Sequence, residues 1–294
     1  MFKYSPQNVD YIFFDFCCCH YDNRYGIIIS TDFRRYDMNI SSSMSEQEFL
    51  SKYDLSKYPR PSVTVDSVLF SPMDGELRVL LVQRGGHPYL GKWALPGGFL
   101  RSSKAVAGRE SLDDAVVREV FEETGVHPVW KEQLYTYGDV DRDPRGHIVS
   151  VAYISCVSYA VSKYPFLVKA GDDAAEARWF VLGNNIVDGL TLTDSDNNMI
   201  LASDLAFDHV RILRDAIERV ANKMLWTDVI LNFVNNQQQF MIREVYDIFS
   251  QFLSLAGKKP MDKGNFYRDF ERRYGDFIAL VGTGSYGAKM YARN

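Results

Sequence analysis

One stretch constrains this chain more than any other: a predicted helix that carries three glutamates on one face. Apolar residues recur there at helical spacing, and a Thr-Gly pair can end the helix. These residues are Ala115, Val116, Val120 and Phe121, followed by Thr124-Gly125. Glu119, Glu122 and Glu123 stand at i, i+3 and i+4, so their like charges repel each other. The stretch indicates either a solvated acidic face or a site for Mg²⁺, which prefers oxygen ligands.

From Glu110 onward this stretch resembles the Nudix box, whose family pattern is G-x5-E-x7-R-E-U-x-E-E-x-G-U, with U a bulky aliphatic residue. The match is complete from that glutamate, with seven residues before the pair Arg118-Glu119. The later fixed positions follow in order as Glu122, Glu123, Gly125 and Val126. One feature departs from the pattern. Gly98 lies too far from Glu110, because residues 101–108 make a longer loop.

The resemblance implies an α+β fold, in which a mixed sheet lies between helices as an α/β/α sandwich. It also implies hydrolysis of a nucleoside diphosphate linked to another group, with Mg²⁺ or Mn²⁺ as cofactor. Bound metal neutralises the charge of a pyrophosphate and activates water. The metal ligands implied are Glu119, Glu122 and Glu123. The catalytic residues implied are Glu122, Glu119, Arg118 and Glu110, where Arg118 orients a glutamate.

Candidate substrate contacts come from arginines and from the glycine pair before the box. The turn 141–146 carries two arginines, and the arginine side chain suits bidentate phosphate contacts. The alternative for this turn is a solvated hairpin loop. The substrate-binding residues that we expect are Arg84, Gly97, Gly98, Arg142 and Arg145. Glu176, on the last predicted strand of this part, is either an additional metal ligand or base, or a structural residue.

Length and charge limit the class of protein. The 294 residues have room for two modest domains, and a net charge of -5 argues against a general nucleic-acid-coating protein. The sequence contains no apolar run long enough for a bilayer and no signal-peptide pattern, so we expect a cytoplasmic protein without a membrane partner. Its four cysteines fit neither a disulfide framework nor a zinc motif.

The chain becomes regular only after its first part. Residues 1–43 are predicted to be an unstructured extension or an over-long gene prediction, with Met38 as the expected natural start and Met44 as the alternative. Residues 53–200 are predicted to form the Nudix domain. Alternating apolar residues and an Asp74-Gly75 hairpin signal predict its strands. These strands cover residues 61–70, 77–83, 134–140, 147–157 and 176–180.

The last third of the chain has a different pattern. An amphipathic helix that begins at Asp204 is expected to connect the two parts over residues 201–225. Residues 226–294 are predicted to be a winged helix-turn-helix domain, because helix, turn, helix and hairpin follow in that order. Asp262 is the expected N-cap of the second helix of this domain.

Charge supports a nucleic-acid contact in this last part. From Gly257 to Asn294 there are eight basic and four acidic residues, a net charge of +4, which leaves -9 for the remaining chain. A basic end on an acidic protein is typical of a surface that binds phosphate backbones. The alternative is a solvated face of a protein-interaction domain. The DNA-binding residues that we expect are Lys263, Arg268 and Arg272 on the recognition helix and Lys289 in the wing.

Both parts together resemble the Nudix-related transcriptional regulators, which include regulators of NAD metabolism and of sugar use. The stretches that carry the resemblance are Tyr58–Asp66, Asp141–Gly146, Leu205–His209 and Asp262–Phe266. In that family the Nudix domain binds an effector such as ADP-ribose, and homodimers place two winged helices on a palindromic site in double-stranded DNA. Many members have lost glutamates of the box, whereas this chain retains them.

The sequence therefore favours a DNA-binding transcriptional regulator whose Nudix domain binds an ADP-ribose-like nucleotide. Hydrolysis of this nucleotide with Mg²⁺ is expected to give AMP and ribose 5-phosphate. Two alternatives remain open. One is a housekeeping hydrolase of the ADP-ribose pyrophosphatase type without a DNA role, and the other is a sugar-responsive repressor with an inactive Nudix pocket.

Overall fold

The computed structural model describes residues 44–101, 108–157 and 174–294, and the hypotheses about residues 1–43 lie outside this part of the chain. The described residues divide into two units, one that ends at Tyr58 and one that spans Pro59–Asn294. In the first unit, Ser45 caps helix α1 (Glu46–Lys52), no residue of which is buried. The rings of Phe49, Tyr53 and Tyr58 pack in a row there, with centroid distances of 5.4 and 5.9 Å.

In the second unit, nine strands of the described residues form one mixed sheet in the order β5-β6-β1-β2-β7-β8-β9, with β3 paired to β2 and β4 to β1. The strands are β1 (Ser62–Met73), β2 (Glu76–Arg84), β3 (Trp93–Ala94), β4 (Gly97–Phe99), β5 (Trp130–Tyr137), β6 (Ile148–Cys156), β7 (Ala174–Gly183), β8 (Thr191–Thr193) and β9 (Met199–Leu201). The predicted hairpin at Asp74-Gly75 is confirmed, with both residues in the left-handed conformation that a two-residue loop requires. The central pair β1–β6 is parallel.

One face of the sheet is covered by the glutamate helix, α2 (Leu112–Thr124). The helix begins after its N-cap Ser111 and ends at Gly125, whose φ of 71° favours glycine. Ala115, Val116 and Val120 of its predicted apolar side pack against buried strand residues such as Val65 and Leu69, whereas Phe121 is exposed. The acidic side consequently faces away from this core.

The opposite face is covered by α3 (His209–Lys223) and α4 (Ile242–Leu255). The ring of Phe252 from α4 meets Phe70 of the sheet at 5.4 Å and Phe233 at 5.1 Å, both edge to face. The sheet therefore lies between helices, and the predicted α+β architecture is confirmed. No helix in the described part of the chain is both long and apolar enough to cross a membrane.

Helix α3 begins later than predicted. We expected it to start at Asp204, but residues Ala202–Asp204 form a short 3₁₀ turn and the helix starts at His209. The cause is Phe207, whose φ of 54° lies in the left-handed region and interrupts the helical backbone. This break directs the segment before α3 towards the edge of β3, where the Ala206 amide donates to the Trp93 carbonyl at 2.8 Å.

The end of the chain adds one helix and a small sheet. Helix α5 (Lys263–Tyr274) is capped by Asp262, whose carboxylate accepts from the Asn265 amide at 3.0 Å, as predicted. Strands β10 (Phe240–Met241), β11 (Ile278–Thr283) and β12 (Lys289–Arg293) pair in the order β10-β12-β11. Phe266 and Phe270 of α5 belong to the same buried cluster as Phe252. One core therefore runs from the central sheet into this last part.

Candidate functional site

Arg118 of α2 is the centre of a network of carboxylates. Its guanidinium contacts Glu110 at 2.6 and 2.9 Å, Glu119 at 2.7 Å and Glu122 at 2.9 Å, and donates to the Phe99 carbonyl at 3.2 Å. The bonds from Arg118 lower the pKa of the Glu110 carboxyl. Glu110 precedes the N-cap of α2, where it also accepts from a backbone amide. The network fixes the orientation of three of the box glutamates, Glu110, Glu119 and Glu122.

The glycine pair of β4 is required by close contacts. A β-carbon at Gly98 would lie 2.6 Å from the carboxylate atoms of Glu119, and one at Gly97 would lie 2.2 Å from the carbonyl oxygen of Val65. The Gly97 amide also donates to Glu123 at 2.9 Å. The two glycines therefore let β4 approach both glutamates from α2.

Burial raises the pKa of the two glutamates that β4 approaches, Glu119 and Glu123. Desolvation raises the pKa of Glu119, and it raises the pKa of Glu123 to about 8, with further contributions from the charges of Glu119 and Asp66. Glu122 is different, because its half-exposed side chain bonds to Arg101 at 2.9 Å as well as to Arg118. The described residues contain no group of three or more Asp, Glu, His or Cys side chains arranged to hold a metal ion.

This arrangement fits Mg²⁺ through two of the three predicted ligands. Mg²⁺ is usually bound by one or two carboxylates, and water and substrate phosphates complete its coordination. Glu119 and Glu123 supply hard oxygen donors, and a cation beside them would offset the repulsion from Glu119 that adds to the effect of burial on the pKa of Glu123. Glu122 is held by arginines on the outer side of this pair.

A pocket open to solvent lies next to Glu123. It brings together all five residues predicted to contact substrate, although they come from three separate stretches of the sequence. Its lining consists of Thr64, Asp66, Val82, Arg84, Ala94, Leu95, Gly97, Gly98, Phe99, Glu123, Arg142, Asp143, Arg145, Phe207 and His209. Glu176 is absent from this lining, and its carboxylate bonds to Arg178 on β7 instead.

Two arginines of the pocket lie against aromatic rings. The guanidinium of Arg84 is 4.9 Å from the ring centroid of Phe207 and donates to the Pro88 carbonyl at 2.7 Å. Arg145 lies over Phe99 at 5.2 Å and forms a two-bond contact with Asp143, at 2.8 and 3.0 Å. Both guanidinium groups are positively charged and can bind an anion that enters the pocket.

Arg142 is held in a different way. It is buried and binds Asp208 through two bonds of 2.6 and 3.0 Å, and it lies 3.9 Å from Asp66. Asp66 also accepts from Ser150 and lies 3.6 Å from the Nε2 atom of His209. The charge of Arg142 is therefore balanced inside the protein, and this side chain supports the floor of the pocket.

Sequence reasoning assigned no role to three pocket residues: Asp66, Phe207 and His209. His209 is buried, which lowers its pKa, and its Nδ1 atom accepts from the Leu95 amide at 2.9 Å. The sequence contains one indication of such a role. Asp66 interrupts the apolar run of a strand, and a buried carboxylate requires polar or charged partners. The stretch Leu205–His209 contributes to the family resemblance, which assigns no role to its individual side chains.

The four residues predicted to bind DNA are exposed on α5 and β12. Lys263 lies 5.8 and 5.7 Å from the rings of Tyr246 and Tyr267. The others contact neighbouring side chains: Arg268 bonds to Asn265, Arg272 to Asp269 at 2.9 Å, and Lys289 to Glu271 at 2.7 Å. The last contact joins β12 to α5, so strand and helix present one basic surface.

Comparison with known proteins identifies the family. Residues 61–191 match the NUDIX domain. The chain is 31% identical over 209 residues to the "ADPR responsive transcriptional repressor NtrR" of Acinetobacter baylyi, covering 71% of this chain and 73% of that protein. It is 34% identical over 183 residues to the "ADP-ribose pyrophosphatase" of Methanocaldococcus jannaschii, covering 61% and 89%.

A solved structure resembles both parts of the chain. The crystal structure of Shewanella oneidensis NrtR complexed with a 27mer DNA has a TM-score of 0.57 and 30% identity, over 79% of this chain and 93% of that one. The similarity therefore extends beyond the matched domain into the last part of the sequence. On these grounds the chain belongs to the Nudix family, among the Nudix-related transcriptional regulators.

Proposed function

We propose that this protein is a DNA-binding transcriptional regulator whose Nudix domain binds an ADP-ribose-like nucleoside diphosphate derivative and hydrolyses it with Mg²⁺. The products are AMP and ribose 5-phosphate. The observation that carries this proposal is the pocket in which Arg84 and Arg145 stand beside Glu123. It combines groups that bind phosphate with groups that hold a divalent cation.

Each group of the site has a role in this proposal. Arg84 and Arg145 bind the diphosphate, while Glu119 and Glu123 hold Mg²⁺. When bound, Mg²⁺ offsets the charge of the pyrophosphate and activates the attacking water. Arg118 keeps the box glutamates in position through its bonds to Glu110, Glu119 and Glu122. The names of the two relatives, a repressor that responds to ADPR and an ADP-ribose pyrophosphatase, support ADP-ribose as the ligand.

The DNA-binding part of the proposal rests on α4, α5 and the hairpin β11–β12, which we interpret as a winged helix-turn-helix in residues 226–294. Helix α5 is the recognition helix, with β11–β12 as the wing. The ion pairs on this surface are exposed and therefore weak, so DNA phosphates can replace the carboxylates at little cost. A cytoplasmic homodimer would place two such surfaces on a palindromic operator.

Hydrolysis is tested by AMP release from ADP-ribose with Mg²⁺. The native protein is compared with Glu119→Gln, which removes one of the two carboxylates proposed to hold Mg²⁺, and with Glu218→Gln, an exposed glutamate of α3 outside the pocket. We expect turnover by the native protein and by Glu218→Gln, and its loss in Glu119→Gln. Absence of turnover in the native protein would contradict hydrolysis and leave the pocket as an effector-binding site.

DNA binding is tested with a fragment of the protein's own promoter region. We expect affinity to fall steeply as salt rises, because binding releases counterions from the phosphates. Substituting glutamine for Lys263 should weaken binding and lower the salt slope by about 1, while Arg214→Gln on α3 should change neither. DNA affinity that does not change with salt concentration, or no binding to the fragment, would contradict the proposed DNA-binding role.

The pyrophosphatase relative favours one alternative, a hydrolase without a DNA role, because 89% of that protein aligns with this chain. The same two experiments separate the alternatives. AMP release without affinity for the promoter fragment supports the hydrolase alone. Affinity that responds to ADP-ribose supports the regulator.

A further inference from the structure

The Leu-Ala-Phe-Asp-His motif before α3 places one aromatic residue in a strained conformation at the pocket. Phe207 has a φ of 54°, which a bulky side chain rarely adopts and which occurs mainly where the surrounding structure enforces it. Its neighbours provide that constraint. The Ala206 amide bonds to the Trp93 carbonyl at 2.8 Å, and Asp208 is bound by the buried Arg142 at 2.6 Å.

The ring of Phe207 contacts both pocket arginines. Its centroid lies 4.9 Å from the guanidinium carbon of Arg84 and 5.5 Å from that of Arg145. The negative face of an aromatic ring attracts cations, so one ring holds two like charges that would otherwise repel each other. The ring of Tyr89 packs against it at 4.7 Å, edge to face. Pro88 holds one side of Arg84 and Asp143 holds one side of Arg145, and the ring of Phe207 is the group that both guanidinium groups share.

We propose that Phe207 is a positioning residue that holds Arg84 and Arg145 as a paired clamp for the two phosphates of a diphosphate ligand. The proposal rests on the function proposed above and names the group that gives its site a preference for diphosphates. Arg142, the third arginine of the pocket, is bound to Asp208 and Asp66 and supports the clamp from below. A ligand with a single phosphate needs only one of the two positioned arginines.

Three substitutions at this position test the proposal. Phe207→Tyr keeps the ring, Phe207→Leu removes it, and Phe207→Gly removes it while suiting the left-handed backbone, so that folding is preserved. Thermal melting checks the fold of each variant. Affinities for ADP-ribose, inorganic pyrophosphate and AMP are measured by calorimetry in the presence of a chelator, which prevents turnover.

We expect Phe207→Leu and Phe207→Gly to bind ADP-ribose and pyrophosphate about tenfold more weakly, as expected for the loss of two cation–π contacts. The loss for AMP should be smaller, and Phe207→Tyr should bind like the native protein. In steady-state assays, the KM for ADP-ribose should rise more than kcat falls. Equal losses for all three ligands, or native affinity in Phe207→Leu, would overturn the proposal.

A double-mutant cycle separates positioning from a general structural role. In a protein that already carries Arg84→Gln and Arg145→Gln, Phe207→Leu should cause no further loss of pyrophosphate affinity, because the groups through which the ring acts are absent. Additive losses would contradict the clamp. If the native protein binds pyrophosphate but not ADP-ribose, the proposed function fails while the clamp stands. If it binds ADP-ribose and the cycle is additive, only the clamp fails.

Discussion

At the scale of single residues, Gly98 controls how closely β4 approaches α2. Replacing it with alanine would place a methyl group 2.6 Å from the Glu119 carboxylate, so this side chain must move away. Misplacing a reacting group by about 1 Å can lower a rate by about 100-fold, and we expect a loss of this size in AMP release. Gly86→Ala is the matched control, because its added methyl group would have no neighbour within 4 Å. Native turnover in Gly98→Ala would contradict the prediction.

Glu123 should make the stability of the metal-free protein depend on pH. Its pKa is about 8 in the folded protein against an ordinary value of 4.5, so the unfolded chain loses this proton at lower pH than the folded protein. This group therefore lowers stability progressively as the pH rises from 4.5 to 8, and by a constant amount above 8. The substitution Glu123→Gln removes the effect.

We expect the urea midpoints of Glu123→Gln and the native protein, measured with a chelator, to be similar near the lower pKa and to diverge as the pH rises to about 8. The variant should be the more stable protein at the upper end. Other groups titrate alike in both proteins and cancel in the comparison. A difference that does not vary with pH would show that the Glu123 carboxyl does not titrate in this way.

The sequence predicted the chemistry of the site better than the function of each side chain. Arg118 and Glu122 stand at i and i+4 on α2, so their contact follows from spacing alone. Arg142 was expected to contact substrate, yet it binds Asp208 across a sequence separation of 66 residues. Which arginine is neutralised inside the protein depends on tertiary contacts, and no local pattern indicates it.

At the scale of elements, α3 connects the pocket with the basic surface. Its first residue, His209, contacts the floor of the pocket, and the segment after its last turn contacts α5. There the Leu225 carbonyl accepts from Arg273 at 2.9 Å, and the Met224 carbonyl accepts from the Tyr274 hydroxyl at 3.4 Å. We therefore expect any shift of α3 on ligand binding to reach, through these contacts, the helix that we propose to bind DNA.

We expect Arg273→Met to reduce the effect of ADP-ribose on DNA affinity, because it removes the bond to Leu225. The effect is measured by fluorescence anisotropy as the ratio of DNA dissociation constants with and without ligand, and this ratio should move towards 1. Arg272→Met, one position earlier, should weaken DNA binding equally in both conditions and leave the ratio unchanged. An unchanged ratio in Arg273→Met would contradict transmission through this contact.

Most elements could be predicted from periodicity and capping. The five long strands of the sheet, the Asp74-Gly75 hairpin and helices α2, α4 and α5 follow from local patterns, although β5 covers Trp130–Tyr137 and not residues 134–140. The short strands β3, β4, β8, β9 and β10 were not predicted. The start of α3 could not be predicted, because the apolar spacing continues through Phe207 while its backbone departs from the helix. That departure is stabilised by partners distant in the sequence, such as Trp93.

At the scale of the whole molecule, Phe252 joins the central sheet to the last part of the chain. It is fully buried between Phe70 and Phe233, so Phe252→Ala should lower the free energy of unfolding by about 3–5 kcal/mol. Hydrogen exchange should show that the amides of β1 and α5 lose protection together. Phe121→Ala, at an exposed position of α2, should change stability by less than about 0.5 kcal/mol. Loss of protection confined to α5 would contradict a shared core.

The shared core also limits how a protein of this kind can diversify. Helix α4 covers one face of the Nudix sheet and is also the first helix of the proposed winged helix-turn-helix. A gene fusion that exchanged residues 226–294 for a foreign DNA-binding domain would expose Phe70 and leave the sheet without one of its covers. New operators and new effectors are therefore more readily acquired by point substitutions on α5 and in the pocket than by recombination of whole modules.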